Sequence, residues 1–249
     1  MFKTLATIIA LSSVALSGCA LTMEDGRTSD SIALASDEHQ AAIGDSQNVG
    51  DFGFFTAGRH AHESNRMSIQ MVNMAGTGCT DEISLVAECY ADRLDFSGIE
   101  SQRFTREELR GLFAAGRLVV EGWLEREVAQ GQSGLILVAT DAYVGATDEP
   151  ARSATLYAVS SFDVECVRAP CPTHEVSAVN IDDSELIHEL DLAASGADPR
   201  KVKMAQQHVA KDMVLVAGDI ERAATTSERS SATDGSATLV ADNFFTRID

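Results

Sequence analysis

The chain has 249 residues, 45% of them hydrophobic, so it is long enough to bury a core and to form one or two domains. Its 38 acidic residues outnumber the 19 Lys and Arg residues, which gives a formal net charge of −19 at pH 7. A surface this acidic repels phosphate groups, and we therefore exclude nucleic acid as a partner.

The first residues have the pattern of a secretory signal. Lys3 provides a short positive segment, residues 5–16 form an apolar stretch, and small residues follow. The apolar stretch is too short to span a bilayer, which is typical of a cleaved signal peptide. We assign residues 1–18 to this signal.

The end of the signal resembles a bacterial lipobox in Leu16, Ser17, Gly18 and Cys19. The resemblance implies cleavage before Cys19, whose acyl chains then anchor the protein in the lipid bilayer of the bacterial cell envelope. Ala20, rather than Asp, follows the cysteine, and by the same resemblance this favours the outer membrane. The alternative is an ordinary cleaved signal with an incidental cysteine.

The cysteine count agrees with lipidation. Five cysteines leave one unpaired in an exported protein, whereas assigning Cys19 to lipid leaves an even set of four: Cys79, Cys89, Cys166 and Cys171. Four cysteines allow three pairings. Proximity in the sequence favours Cys79–Cys89 and Cys166–Cys171.

The rest of the chain divides by composition. Residues 19–51 are rich in Ser, Asp, Gly and Ala without sustained periodicity, which predicts a flexible acidic tether. Residues 52–145 and residues 154–249 each contain several short apolar runs and one helical pattern.

A stretch of the chain occurs twice in related form, at residues 94–125 and at residues 190–221, with a constant offset of 96. The first contains a capping box at Thr105 and Glu108, and the second starts its helix with Asp198 and Pro199. Gly122 and Gly218 occupy the same place in the strands that follow, where a missing side chain permits a bulge or a close backbone approach.

This pattern predicts an α+β fold built of two duplicated β-β-β-α-β-β modules. Each module is expected to have an antiparallel-rich sheet and one helix, and the two are expected to pack as a pseudo-dimer.

The second half also contains a C-x-x-x-P-C-P segment formed by Cys166, Val167, Arg168, Ala169, Pro170, Cys171 and Pro172. Together with Tyr157, Asn180 and residues 190–196 and 214–218, it resembles a family of bacterial exported domains of unknown function. The resemblance implies a fold and an exported location but supplies no catalytic residues.

The prolines restrict the backbone of this loop, and a disulfide across it predicts a small rigid protrusion. One interpretation is a stapled hairpin end. The other is a recognition loop presenting Val167, Arg168, Ala169, Pro170 and Pro172. The spacing differs from the C-x-x-C of redox pairs.

We predict a non-enzymatic binding or structural module with a protein partner and without cofactor or metal. One alternative is a metal-assisted hydrolase using His60 and His62, although no third ligand is visible at metal-binding spacing. The other is a protease-inhibitor-like module that acts through the Cys166–Cys171 loop.

Overall fold

The computed structural model of the chain describes residues 46–48, 52–58, 66–79, 85–129, 132–150, 155–162, 171–211, 213–223 and 236–249. All of these belong to one compact unit, residues 42–249. The predicted signal peptide and most of the predicted tether lie outside the described residues.

The described chain consists mainly of strands. Those of the N-terminal half are β1 (Ser46–Asn48), β2 (Gly53–Ala57), β3 (Met67–Met71), β4 (Thr77–Gly78), β5 (Leu85–Val86), β6 (Cys89–Ala91), β7 (Arg93–Asp95), β8 (Leu118–Ala129) and β9 (Gln132–Gly145). Those of the C-terminal half are β10 (Leu156–Ser161), β11 (His174–Ala178), β12 (Ser184–Ile187), β13 (Glu189–Asp191), β14 (Val214–Arg222) and β15 (Ala237–Arg247). The helices are α1 (Arg106–Ala114) and α2 (Pro199–Val209), with a 3-10 turn at Ala193–Ser195.

Thirteen of these strands form one sheet, in the order β12-β11-β10-β14-β15-β9-β8-β2-β3-β6, with β1, β7 and β13 attached beside this path. The two halves of the chain join where β9 pairs antiparallel with β15, at Gly145 with Phe245, Val144 with Thr246 and Tyr143 with Arg247. The backbone hydrogen bonds therefore continue from one half into the other.

Both ends of the sheet turn back onto its centre. β6 pairs with β3, and after the single residue Asp92 the chain pairs as β7 in parallel with β9. At the other end β12 pairs with β11, and after His188 the chain pairs as β13 in parallel with β15. Each half of the sheet thus curls into a closed ring, which covers strand edges that would otherwise attract other chains.

Each ring encloses apolar side chains, and one helix packs its apolar face against them. α1 starts at the predicted capping box, in which the Thr105 side chain accepts from the Glu108 amide, and it buries Leu109 and Phe113 in the first core. α2 starts at Asp198 and buries Ala205 and Val209 in the second core. The helices are short, and burial of one apolar face holds them in place.

The strands that follow the helices each bend at a glycine. The pairing of β8 with β9 shifts next to Gly122, and that of β14 with β15 shifts next to Gly218. A Cβ atom at Gly122 would lie 2.0 Å from the Val138 carbonyl oxygen, and one at Gly218 would lie 2.2 Å from that of Val240. No side chain fits at such distances, so glycine is required at both bulges.

The predicted α+β architecture of two duplicated modules packed as a pseudo-dimer is wrong. The described part of the chain has a β-rich fold with two short helices, and thirteen of its strands form one mainly antiparallel sheet. The physical reason is the β9–β15 pairing, which joins the halves through backbone hydrogen bonds instead of through side chains packed between separate sheets. Helix followed by strand at residues 94–125 and 190–221 is a local similarity and did not predict this connection.

The outer faces of the two rings meet in a third core, which we call the seam. It contains Val119 and Tyr143 from the N-terminal half and Leu156, Leu215 and Phe245 from the C-terminal half. All five side chains are nearly inaccessible to solvent. Apolar burial therefore supports the β9–β15 pairing from one side of the sheet.

Asn180 ties the two halves together across the seam. It lies in the turn after β11 with φ of 62°, a left-handed conformation that asparagine tolerates better than most residues. Its Oδ1 accepts from the Phe54 amide at 2.8 Å, and its Nδ2 donates to the carbonyl oxygens of Phe54 and Val72, both at 2.8 Å.

Asn73 makes the reciprocal set of contacts. It lies in the turn after β3 with φ of 59°. Its Oδ1 accepts from the Leu156 amide at 2.8 Å, and its Nδ2 donates to the carbonyl oxygens of Leu156 at 2.7 Å and Val179 at 3.0 Å. The two asparagines thus hydrogen-bond to backbone groups of the opposite half, in addition to the Val72–Phe54 and Val179–Leu156 backbone hydrogen bonds at the same places.

We predict that Asn180→Ala lowers the free energy of unfolding by about 2–4 kcal/mol, because it leaves half-buried backbone groups unpaired and places alanine in a left-handed conformation. Asn180→Gly, which keeps the conformation accessible but removes the amide, should recover only part of this loss. Equilibrium urea unfolding measures both. Wild-type stability in Asn180→Gly would show that the cross-seam hydrogen bonds contribute nothing.

Candidate functional site

A cavity of about 440 Å³ opens beside the seam, between the end of α1, the β2–β3 hairpin and the start of β10. We call it the seam pocket and define it by Thr56, Gln70, Val72, Ala114, Leu156 and Phe245, which lie around its wall. Its volume falls within the usual range of small-molecule sites.

Small residues keep this space open. Ala114 and Ala115 end α1, and Gly116 follows with φ of 68°, which turns the chain away from the helix axis. Ala217 forms another part of the wall. None of these residues has a side chain that extends beyond Cβ. A space therefore remains at this point of the seam, which larger side chains would fill.

Two polar side chains on the pocket wall have no partner within the described chain. Thr56 in β2 and Gln70 in β3 are directly opposite each other in the antiparallel pairing, so their side chains share one face. Neither side chain makes a hydrogen bond to a described residue, whereas the neighbouring Asn73 amide is already used across the seam. The wall therefore offers a hydroxyl and a carboxamide to a ligand.

The other walls are apolar, and the lining contains no ionisable side chain among the described residues. Val72, Val119, Leu156 and Phe245 face the cavity. Beside the lining residue Gly58 lies the Glu88 carboxylate, which accepts the hydroxyl hydrogen bond of Ser68. This arrangement can hold a neutral molecule without desolvating an unpaired charge.

A group of ionisable side chains lies elsewhere on the seam side of the sheet. The Tyr143 hydroxyl donates to Glu121 Oε2 at 3.2 Å, and Arg247 Nε donates to Asp141 Oδ1 at 2.7 Å. Burial raises the pKa of Glu121 above its ordinary value, although the Tyr143 hydrogen bond opposes this. Burial, followed by the charge of Glu121, raises the pKa of Tyr143 far above its ordinary value.

This cluster does not form a metal centre. Each of its two carboxylates already has a protein partner, and among the described residues no group of three or more His, Cys, Asp or Glu side chains has the geometry to hold a metal ion. We interpret it as the polar part of the seam. Its composition differs from that of the seam pocket, because its side chains are charged and fill the available space.

The predicted Cys79–Cys89 disulfide is confirmed, with the two Cα atoms 5.8 Å apart. It links the end of β4 to β6 and buries Cys89 in the first core. Cys171 is also disulfide-bonded. Its predicted partner Cys166 lies outside the described residues, so the Cys166–Cys171 pairing stays a prediction.

Several other predicted residues cannot be placed. Cys19, the histidines His60 and His62, and the loop residues Val167, Arg168, Ala169 and Pro170 lie outside the described residues, while Pro172 is described as half-buried. Sequence analysis did not single out Thr56 or Gln70. The only signal for them was their position in alternating strands, which many residues share. Within the described chain, no helix is long and apolar enough to cross a membrane.

We predict that Glu121→Gln makes the protein less sensitive to rising pH. Because the pKa of Glu121 is raised in the folded state, the native protein loses stability as the pH increases above the ordinary value of 4.5 and through the raised one. The free energy of unfolding of the variant, relative to that of the wild type, should therefore increase from pH 4 to pH 7. Urea unfolding at each pH measures this difference.

The control for this experiment is Glu107→Gln on α1, where the side chain is 87% exposed. It removes one negative charge without changing a buried group. If Glu121→Gln and Glu107→Gln have the same pH dependence, burial of Glu121 has no effect on stability.

Comparison with known proteins identifies the family. No curated protein and no solved structure matches the chain. A family model described as "Domain of unknown function (DUF6748)" matches residues 67–249, which is more than half of the sequence and runs from the start of β3 through both helices to the last strand. The chain therefore belongs to the DUF6748 family.

Proposed function

We propose that this protein is a lipid-anchored, non-enzymatic binding module of the bacterial cell envelope, and that the seam pocket is its binding site. The observation that carries the proposal is the pocket's composition. It combines unused hydrogen-bonding groups at Thr56 and Gln70 with an apolar wall, in a cavity of about 440 Å³. Few polar groups set precisely in an otherwise apolar concavity are typical of ligand sites.

The same composition favours binding over catalysis. General acid–base and nucleophilic reactions need an ionisable group within hydrogen-bond reach of the substrate. The described lining of the seam pocket has a hydroxyl and a carboxamide but no such group. Within the described chain, no ionisable side chain hydrogen-bonds to the Thr56 hydroxyl to activate it.

The proposed anchor is acylated Cys19, at the end of the lipobox formed with Leu16, Ser17 and Gly18. Acyl chains contribute about 0.8 kcal/mol per buried CH₂ group, so several chains hold a protein firmly at a bilayer. The part of residues 19–51 that precedes β1 (Ser46–Asn48) then serves as a tether, and Ala20 after the cysteine supports placement at the outer membrane. The net charge of −19 disfavours close approach to anionic surfaces and nucleic acid.

We predict that Cys19→Ser moves the protein from the membrane fraction to the soluble fraction of disrupted cells. The reason is that serine lacks the sulfur atom to which the acyl chain is joined. Cys171→Ser is the control, because it removes a cysteine that is disulfide-bonded in the folded unit and should leave membrane attachment unchanged. Retention of Cys19→Ser on the membrane would contradict the lipid anchor.

We predict that Ala114→Phe prevents binding at the seam pocket. Ala114 is exposed at the pocket wall, so a larger side chain can fill the cavity without entering the core. The measurement is ligand-observed NMR with a library of uncharged, anionic and cationic fragments. A set of fragments should bind the wild type and fail to bind Ala114→Phe.

The matched control is Ala210→Phe, which places the same side chain at an exposed position just after α2, outside the pocket. It should bind the same fragments as the wild type. If no fragment distinguishes Ala114→Phe from Ala210→Phe, the seam pocket is not a binding site and the proposed function fails.

A further inference from the structure

We propose that the seam pocket selects an uncharged ligand that carries a secondary amide next to an apolar group. This inference rests on the proposed function, since it names the chemical class bound at the same site. It follows from the hydrogen-bonding groups on one wall, the apolar groups on the other and the absence of charge between them.

The hydrogen-bonding groups on this wall are complementary to those of an amide. The Gln70 carboxamide offers an N–H donor and a carbonyl acceptor, and the Thr56 hydroxyl can donate or accept beside it. The two residues are paired across β2 and β3, so the strand backbone fixes their spacing. A ligand amide also has one donor and one acceptor, and it satisfies both groups of Gln70 at once.

The apolar wall accepts the remainder of the ligand. Its accessible surface comes from the half-buried Val72 and the exposed Ala114, Ala115 and Pro150, whereas Phe245, 1% exposed, and Leu156, 4% exposed, lie behind it in the seam. Val119 completes this wall. A preformed apolar surface binds a hydrocarbon or ring face without an ordering cost.

Electrostatics exclude charged ligands. An ion bound in the cavity would lose its water without meeting an opposite charge, because no ionisable side chain lines the described wall. The net charge of −19 further disfavours an anion. The Glu88 carboxylate is not one of the lining groups; it lies next to Gly58 and accepts the hydroxyl hydrogen bond of Ser68.

The cavity of about 440 Å³ accommodates one capped amino acid or one N-acetylated sugar. Both carry a secondary amide with a methyl group, and they represent the two sources from which this chemistry can come. The amide group is common to both ligands, and the probes in the experiment below distinguish a peptide from a sugar.

The test is an NMR titration of the full-length protein in detergent with three probes: N-acetylphenylalanine amide, N-acetylglucosamine and N-acetylphenylalanine, whose carboxylate is charged. At least one of the two neutral amides should bind, and the charged compound should bind about tenfold or more weakly than its neutral counterpart. A peptide source is indicated by the first probe and a sugar source by the second.

Gln70→Leu keeps the approximate size of the side chain and removes the carboxamide, so it should weaken binding of the neutral amide about tenfold. Gln206→Leu, an exposed position on α2 outside the pocket, should leave binding unchanged. Neither glutamine side chain makes a hydrogen bond within the described chain, and circular dichroism verifies that both variants fold.

Three results overturn the inference and leave the proposed function standing. If the charged probe binds as well as the neutral one, or if Gln70→Leu binds normally while Ala114→Phe does not bind, the pocket is a site but the amide class is wrong. If none of the probes binds while other fragments still distinguish Ala114→Phe from Ala210→Phe, the amide class is likewise wrong and the proposed function stands.

Discussion

The antiparallel pairing of β9 with β15 is the interaction on which the other features depend. It spans only three residue pairs, from Tyr143 with Arg247 to Gly145 with Phe245. These backbone hydrogen bonds join two curled halves into one sheet and bring their outer faces together. Without the pairing, the backbone groups on the facing edges of β9 and β15 would be unpaired, and the apolar side chains of the seam would not be brought together.

Such a short contact needs further support, and the seam provides it in two forms. Apolar side chains such as Leu156 and Phe245 are buried between the halves. Asn73 and Asn180 then hydrogen-bond to backbone groups of the opposite half, each from a left-handed turn. Hydrophobic burial supplies most of the stabilisation, whereas the directional amide bonds specify the relative position of the hairpins.

The seam pocket follows from a difference between the two sides of this interface. Glu121 precedes the bulge at Gly122 and extends to the Tyr143 hydroxyl, so that part of the seam is filled. Ala217 precedes the bulge at Gly218 and has no side chain beyond Cβ, and it lines the seam pocket. The pocket lining is therefore neutral in a strongly acidic protein, because the carboxylates of Glu121 and Asp141 are not among its lining groups.

Much of the local structure was predictable from the sequence. The capping box at Thr105, the helix start at Asp198, the bulges at Gly122 and Gly218 and the Cys79–Cys89 disulfide are all present. Each depends on neighbouring residues or on a short separation in the chain, where side-chain chemistry and backbone geometry are directly related. The proposed lipid anchor at Cys19 is likewise contained in adjacent residues.

The architecture and the candidate site were decided only by the tertiary structure. The pairing of β9 with β15, and the return of β7 and β13 to those strands, use backbone groups that every residue possesses, so no local pattern identifies the partner. Thr56 and Gln70 became candidates only because the fold placed them against Leu156 and Phe245, which lie far away in the sequence. The sequence by itself determined where helices start, where strands bend and which nearby cysteines join, whereas long-range strand pairing determined where the halves meet and left a cavity between them.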